Sequence, residues 1–161
     1  DNLSFADYIS DRRFAEKKEV LDFIVESFKD CRSVVFMGDN FNSKNNSSET
    51  NREFVEFLMR FTDKQVYILA GNHEKKGNGT TAVDFIGEMK NPSWHVFSKP
   101  GTIPFENFKL DFLPYMLNSE LGVDNTGDAT KEILNHLDGG DILFAHHAIS
   151  GSSLNGIKTS T

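Results

Sequence analysis

Val34-Val35-Phe36-Met37-Gly38-Asp39-Asn40 and Val66-Tyr67-Ile68-Leu69-Ala70-Gly71-Asn72-His73-Glu74 share one pattern: a short apolar run, a glycine, then polar side chains able to bind a cation. Runs this short and this apolar read as strands covered on both faces, the signature of a parallel sheet. A third run, Asp141-Ile142-Leu143-Phe144-Ala145-His146-His147, ends on imidazoles. The expectation is that all three runs lie in one parallel sheet and deliver an aspartate, an amide and imidazoles to one rim, where open α/β sheets keep their chemistry.

Working outward, residues 12–29 carry Leu21, Ile24, Val25 and Phe28 at helical spacing, and Phe54, Phe57, Leu58 and Phe61 repeat the pattern after a polar loop at 42–48. Thr50 and Glu53 have the spacing of a capping box at the start of that second helix. The order helix, strand, helix, strand implies βαβ crossovers. A glycine-rich loop at 71–79 leads to a helix over about 81–90. Residues 94–115 then read as an antiparallel meander of short strands, with Pro104 marking an edge. A loop over 117–127, a short helix over 129–137, the third apolar strand and a small-residue loop over 150–156 complete the chain.

With 161 residues and 38% hydrophobic content, the chain can bury one real core, so residues 1–161 are read as one domain. Seventeen basic residues against twenty-four acidic ones give a net charge of −7, which carries no electrostatic footprint for duplex DNA. Cys31 is the only cysteine, excluding a disulfide framework and a thiolate metal site. No stretch is apolar enough to span a bilayer and no signal peptide is evident, so a reducing cytoplasm and no membrane partner are expected.

Hydrolysis by divalent metals calls for hard oxygen and borderline nitrogen ligands drawn from several loops. Asp39 offers two oxygens and can bridge two cations, Asn72 offers a neutral amide oxygen, and His146 offers an imidazole nitrogen. His73, next to Asn72, is left free to protonate a leaving oxygen or to stabilise charge on the phosphoryl group. Gly38 and Gly71 let the backbone turn where a side chain would block close approach. A shared metal requires Asp39, Asn72 and His146 to converge within a few ångströms. His95 and His136 read as packing residues, and Glu74 as a support for its loop. Asn40 and Asn42 read as loop-shaping residues, with Asn42 also able to face substrate. Neither the role of Asn42 nor that of His147 follows from the pattern.

Gly38-Asp39-Asn40, Gly71-Asn72-His73-Glu74 and Phe144-Ala145-His146-His147 together resemble the calcineurin-like metallophosphoesterases. The resemblance implies a β-sandwich flanked by helices in αββα layers and two divalent metal ions, with Mn²⁺ preferred and Mg²⁺, Fe or Zn²⁺ as alternatives. It implies Asp39 as the bridging ligand, Asn72 and His146 on one metal, and His73 as the catalytic residue. The family's opening Asp-x-His and closing Gly-His-x-His do not occur at the matching places. An incomplete domain lacking both ends is therefore expected, with the second metal's exclusive ligands outside the chain and the fragment alone inactive.

Within the family, Phe112-Leu113-Pro114-Tyr115 and the spacing to His146 are similar to the SbcD-type DNA exonucleases, including phage recombination subunits. That similarity implies DNA as substrate, an SbcC-type ATPase partner, a bacterial or phage-infected cytoplasm, and a fold compatible with a homodimer. Some of these nucleases carry a histidine where this chain has Asn42. Two other readings stand beside it: a phosphoesterase acting on a small nucleotide or a phosphoprotein, and a non-catalytic interaction module of the same fold.

Overall fold

The computed structural model describes the backbone of residues 5–122 and 139–147, the strand pairs 153–154 and 157–158, and the single positions 132, 135 and 137; side chains are described from residue 16 to 147 within those bounds. Helix α1 (Phe5–Ser27) leads into strand β1 (Ser33–Phe36), helix α2 (Ser48–Leu58) and strand β2 (Gln65–Leu69). Helix α3 (Asp84–Glu88) and strands β3 (Trp94–Phe97), β4 (Gly101–Phe105) and β5 (Phe108–Leu113) follow. A one-turn helix α4 (Asn118–Leu121) then precedes strand β6 (Ile142–Ala145) and a small antiparallel pair, β7 (Ser153–Leu154) and β8 (Ile157–Lys158). The expected helix over 129–137, with His136, and the loop over 150–156 lie largely outside the described residues.

Two three-stranded sheets form the body of the fold. β1, β2 and β3 are all parallel, whereas β4 pairs antiparallel with β5 and β5 pairs parallel with β6. This corrects the sequence reading twice. Residues 94–97 belong to the parallel sheet and not to a meander, and the third apolar strand lies in the second sheet and not beside β1 and β2. Runs of four residues are too short for their pattern to name a neighbour, so partner choice was not written in it.

Side-chain alternation builds the layers. Val66, Ile68 and Ala70 of the β2 segment face the helices, joining Val34, Phe57, Leu58, Phe61 and Ile86 in one core, with Leu21, Ile24 and Val25 of α1 packed against it. Tyr67 and Leu69 face the other way and meet Leu110 and Phe112 of β5, forming a second core between the sheets. Phe112 is fully buried there, stacked on Phe97 with centroids 4.1 Å apart and close to Tyr67 and Phe144. Phe36 meets Phe54, Phe57 and Phe61 edge-on, each at 6.0 Å, so the phenylalanine-rich composition is spent on two aromatic clusters. The result is a helix-flanked β-sandwich, as the resemblance implied.

Two local details differ from expectation or add to it. The N-cap of α2 is Ser47, whose Oγ accepts the Thr50 N–H at 3.1 Å, so the cap falls three residues before Thr50. Glu53 instead pairs with Lys17 of α1. In the α1–β1 connection, the Lys64 ammonium donates to the Lys29 and Cys31 carbonyls at 2.7 and 2.6 Å, satisfying two backbone oxygens beyond the helix. No helix among the described residues is long and apolar enough to cross a membrane.

Candidate metal centre

The C-terminal ends of β1, β2 and β6 meet at one rim shared by the two sheets. The β1 strand ends in a turn where Gly38 has φ +99° and Asp39 itself adopts a left-handed φ of +50°. Aspartate is among the few side chains that tolerate this region. Gly38 is also required by space: a Cβ there would lie 2.3 Å from His146 Nδ1. Gly71, at the end of β2, sits against Asp39, where a Cβ would come within 2.2 Å of Asp39 Oδ1 and 2.3 Å of its backbone nitrogen. The two glycines let the three strand ends close on one another.

His146 follows β6, and its backbone N–H donates to Leu113 O at 2.9 Å, continuing the pairing with β5. Its ring reaches across the sandwich. Nδ1 lies 2.7 Å from the Met37 carbonyl. A carbonyl can only accept, so Nδ1 carries the proton and the lone pair of the neutral ring sits on Nε2. With the Asn72 amide oriented as in the structure, Nε2 faces Asn72 Oδ1 at 3.0 Å and Asp39 Oδ1 at 3.5 Å. Asp39 Oδ1 also accepts the His73 backbone N–H at 3.1 Å.

Two oxygens that face the Nε2 lone pair need a cation or a proton between them and the ring. Two donors each about 2.1 Å from a shared ion stand about 3.0 Å apart at a right angle and about 3.4 Å at a tetrahedral angle. The observed spacings of 3.0 and 3.5 Å match those edges. The Nδ1–H bond to a backbone carbonyl is also the usual support of a metal-binding imidazole. Asp39, Asn72 and His146 therefore fit a divalent ion. No group of three or more His, Cys, Asp or Glu side chains is placed to hold one among the described residues, so the set depends on the asparagine oxygen.

The other residues singled out in the sequence separate cleanly. The His73 side chain is exposed at the rim. His147 points the other way: its Nε2 accepts the Met116 N–H at 3.2 Å and its ring stacks on Tyr115 at 5.5 Å. Burial holds its pKa below the usual imidazole value, a hydrogen bond to the Pro114 backbone opposes this, and His146 adds to the lowering. It latches β6 to the 114–116 segment. His95 stacks on Tyr67 at 5.0 Å and bonds Gln65 at 2.8 Å, and burial lowers its pKa too. Asn40 Nδ2 donates to Leu69 O at 3.0 Å, tying the two strand ends together, whereas Asn42 is exposed.

Two contributions escaped the sequence. The Met37 carbonyl that orients His146 is backbone, so no residue type announces it. Glu74, expected only to support its loop, is fully buried and receives three backbone N–H groups: Gly71 at 2.5 Å, Phe41 at 2.7 Å and Asp39 at 3.0 Å.

A helix-flanked β-sandwich thus gathers an aspartate, an asparagine and a histidine at its strand ends, a donor set suited to a divalent ion. The family profile of the calcineurin-like phosphoesterases matches residues 9–161, and the chain belongs to that family. Its members are in general metal-dependent phosphoester hydrolases that bind two divalent ions. No curated protein matches the chain.

Proposed function

We propose that this domain supplies metal ligands and a proton donor for hydrolysis of phosphodiester bonds in DNA, within a nuclease subunit of the SbcD type, with Mn²⁺ as the working metal and an ATPase subunit as partner. The convergence of Asp39, Asn72 and His146 on one point carries the hydrolytic part of this reading. These three residues would hold one divalent ion, with Asp39 free to share its second oxygen with another. When bound, such an ion polarises the phosphate and acidifies a water molecule. Asp39 also fixes His73 by its backbone, leaving the exposed imidazole to deliver a proton to the departing oxygen.

A cleft of about 460 Å³, lined by none of Asp39, Asn72, His73 and His146, offers room for a part of the substrate away from the metal residues. It lies between the loop that follows Asp39 and the loop that follows His73, with Lys44 and Lys76 among its lining residues. Of the acidic residues there, Asp84 is engaged within the protein, accepting the Thr81 N–H at 2.7 Å and its hydroxyl at 2.8 Å. Glu88 is exposed at the edge. Two lysines in such a cleft suit phosphates further along a nucleic-acid chain, away from the scissile bond.

A net charge of −7 favours the second reading, a phosphoesterase acting on a small nucleotide or a phosphoprotein, because an acidic surface repels a long polyanion. Turnover of linear duplex DNA and of an aryl phosphodiester, each with Mn²⁺, separates the two. For a nuclease, Lys44→Ala combined with Lys76→Ala should raise KM for DNA by roughly tenfold and weaken its salt dependence, while the aryl ester constants move by less than about twofold. DNA kinetics unchanged in the double variant, with the aryl ester strongly preferred, would favour the small substrate.

A further inference from the structure

We infer that Glu74 is a positioning residue, whose carboxylate crosslinks the Asp39 loop to the Gly71 loop and thereby sets the separation of Asp39 and Asn72. The inference rests on the metal reading above for its consequence, although its geometry is independent of it. Oε2 accepts from Asp39 N at 3.0 Å and from Gly71 N at 2.5 Å, and Oε1 accepts from Phe41 N at 2.7 Å. One side chain thus holds backbone on both sides of the site, and Asp39 and Gly71 share a single oxygen.

The post itself is fixed. The Glu74 carbonyl accepts the Ala82 N–H at 2.9 Å, and the side chain is fully buried. Next to it, Lys75 has its ammonium 2.8 Å from Glu120 Oε1, with only 2% of the side chain exposed, while Glu120 Oε2 accepts the Leu117 N–H at 2.9 Å. The residues after His73 are thus tied by Glu74 to the β1 loop and by Lys75 to α4. Asp39 sits in a left-handed conformation, so its N–H points where it does only while something holds it.

Three N–H donors demand two oxygens that only accept. A carboxylate supplies them, and the isosteric amide does not, because its NH₂ would face either Phe41 N–H or the Asp39 and Gly71 pair. Glu74→Gln therefore keeps shape but sets an N–H against an N–H on one side, freeing either Phe41 or the Asp39 and Gly71 pair. The variant should bind Mn²⁺ about ten- to a hundredfold more weakly than the wild type, as for loss of an outer partner of a metal ligand. Either the Phe41 amide or the Asp39 and Gly71 pair should lose its protection from hydrogen exchange in Glu74→Gln. Glu74→Asp, which keeps the charge but not the reach, should fall between.

A folded Glu74→Gln protein with Mn²⁺ affinity within twofold of wild type and slow exchange at Asp39 and Phe41 would overturn the inference. If that variant fails to fold, the wild-type chain decides. Correlated slow exchange of the three amides supports the crosslink, and rapid or independent exchange refutes it. A wild-type chain that binds no Mn²⁺ would instead defeat the proposed function, and the exchange pattern would still judge Glu74.

Discussion

Replacing His73 with alanine should slow hydrolysis of DNA by about a hundred- to ten-thousandfold, the range spanned by loss of a positioned general acid. The expectation is sharper than a simple loss of activity. In phosphodiester hydrolysis the water oxygen forms a bond to phosphorus as the bond to the leaving oxygen breaks. A deoxyribose oxygen needs a proton as it departs, and an acidic nitrophenol does not. The same variant should therefore lose far less activity toward a nitrophenyl phosphodiester. Equal losses on both substrates would reassign His73 from proton donor to charge stabiliser. Full activity on DNA would remove it from the reaction. The position suits the role: the His73 backbone is tied to Asp39 at 3.1 Å, while its side chain is exposed at the rim.

Gly71→Ala should do comparable damage from a residue with no chemistry of its own. The added Cβ would sit 2.2 Å from Asp39 Oδ1 and 2.3 Å from Asp39 N, against backbone already held by Glu74 and already at a positive φ. The loop can yield only by moving Asp39. Forcing a methyl into such a site costs about 1–3 kcal/mol of stability. The larger consequence is at the metal, because Asp39 cannot move without breaking its spacing to His146. Gly77→Ala is the control in the same loop: nothing lies within 4 Å of its would-be Cβ, so melting temperature and Mn²⁺ affinity should stay near wild type. A Gly71→Ala protein with both properties intact would show that the Asp39 turn is looser than its contacts indicate.

The fold class and the convergence of three side chains were legible in the sequence, and the sheet that carries each strand was not. Gly-Asp and Gly-Asn-His after apolar runs announced strand ends and their side chains, and Asp39, Asn72 and His146 do converge. The sheet membership of the strands was not legible. Ile142–Ala145 reads like Val34–Phe36, yet it pairs with β5 in the second sheet, and the shared rim belongs to two sheets facing each other. Trp94–Phe97 alternates like an antiparallel strand and is parallel to β2 because α3 returns the chain to the first sheet. The start of α2 was misplaced for a local reason: Ser47 Oγ accepts the Thr50 N–H, which puts the cap three residues before Thr50. Glu74 could be read as a loop support, but its three backbone partners come from two segments that only the folded chain brings together.

Metal binding by the Asp39, Asn72 and His146 constellation is the claim on which the rest depends, and pulsed electron paramagnetic resonance of the Mn²⁺-loaded chain addresses it directly. The wild type should show hyperfine coupling from one directly bound imidazole nitrogen. His146→Ala should lose that coupling and bind Mn²⁺ more weakly, and His147→Ala should keep it, since His147 is engaged with Met116 and Tyr115. A wild-type chain without Mn²⁺ bound, or a nitrogen coupling that survives in His146→Ala, would contradict the account.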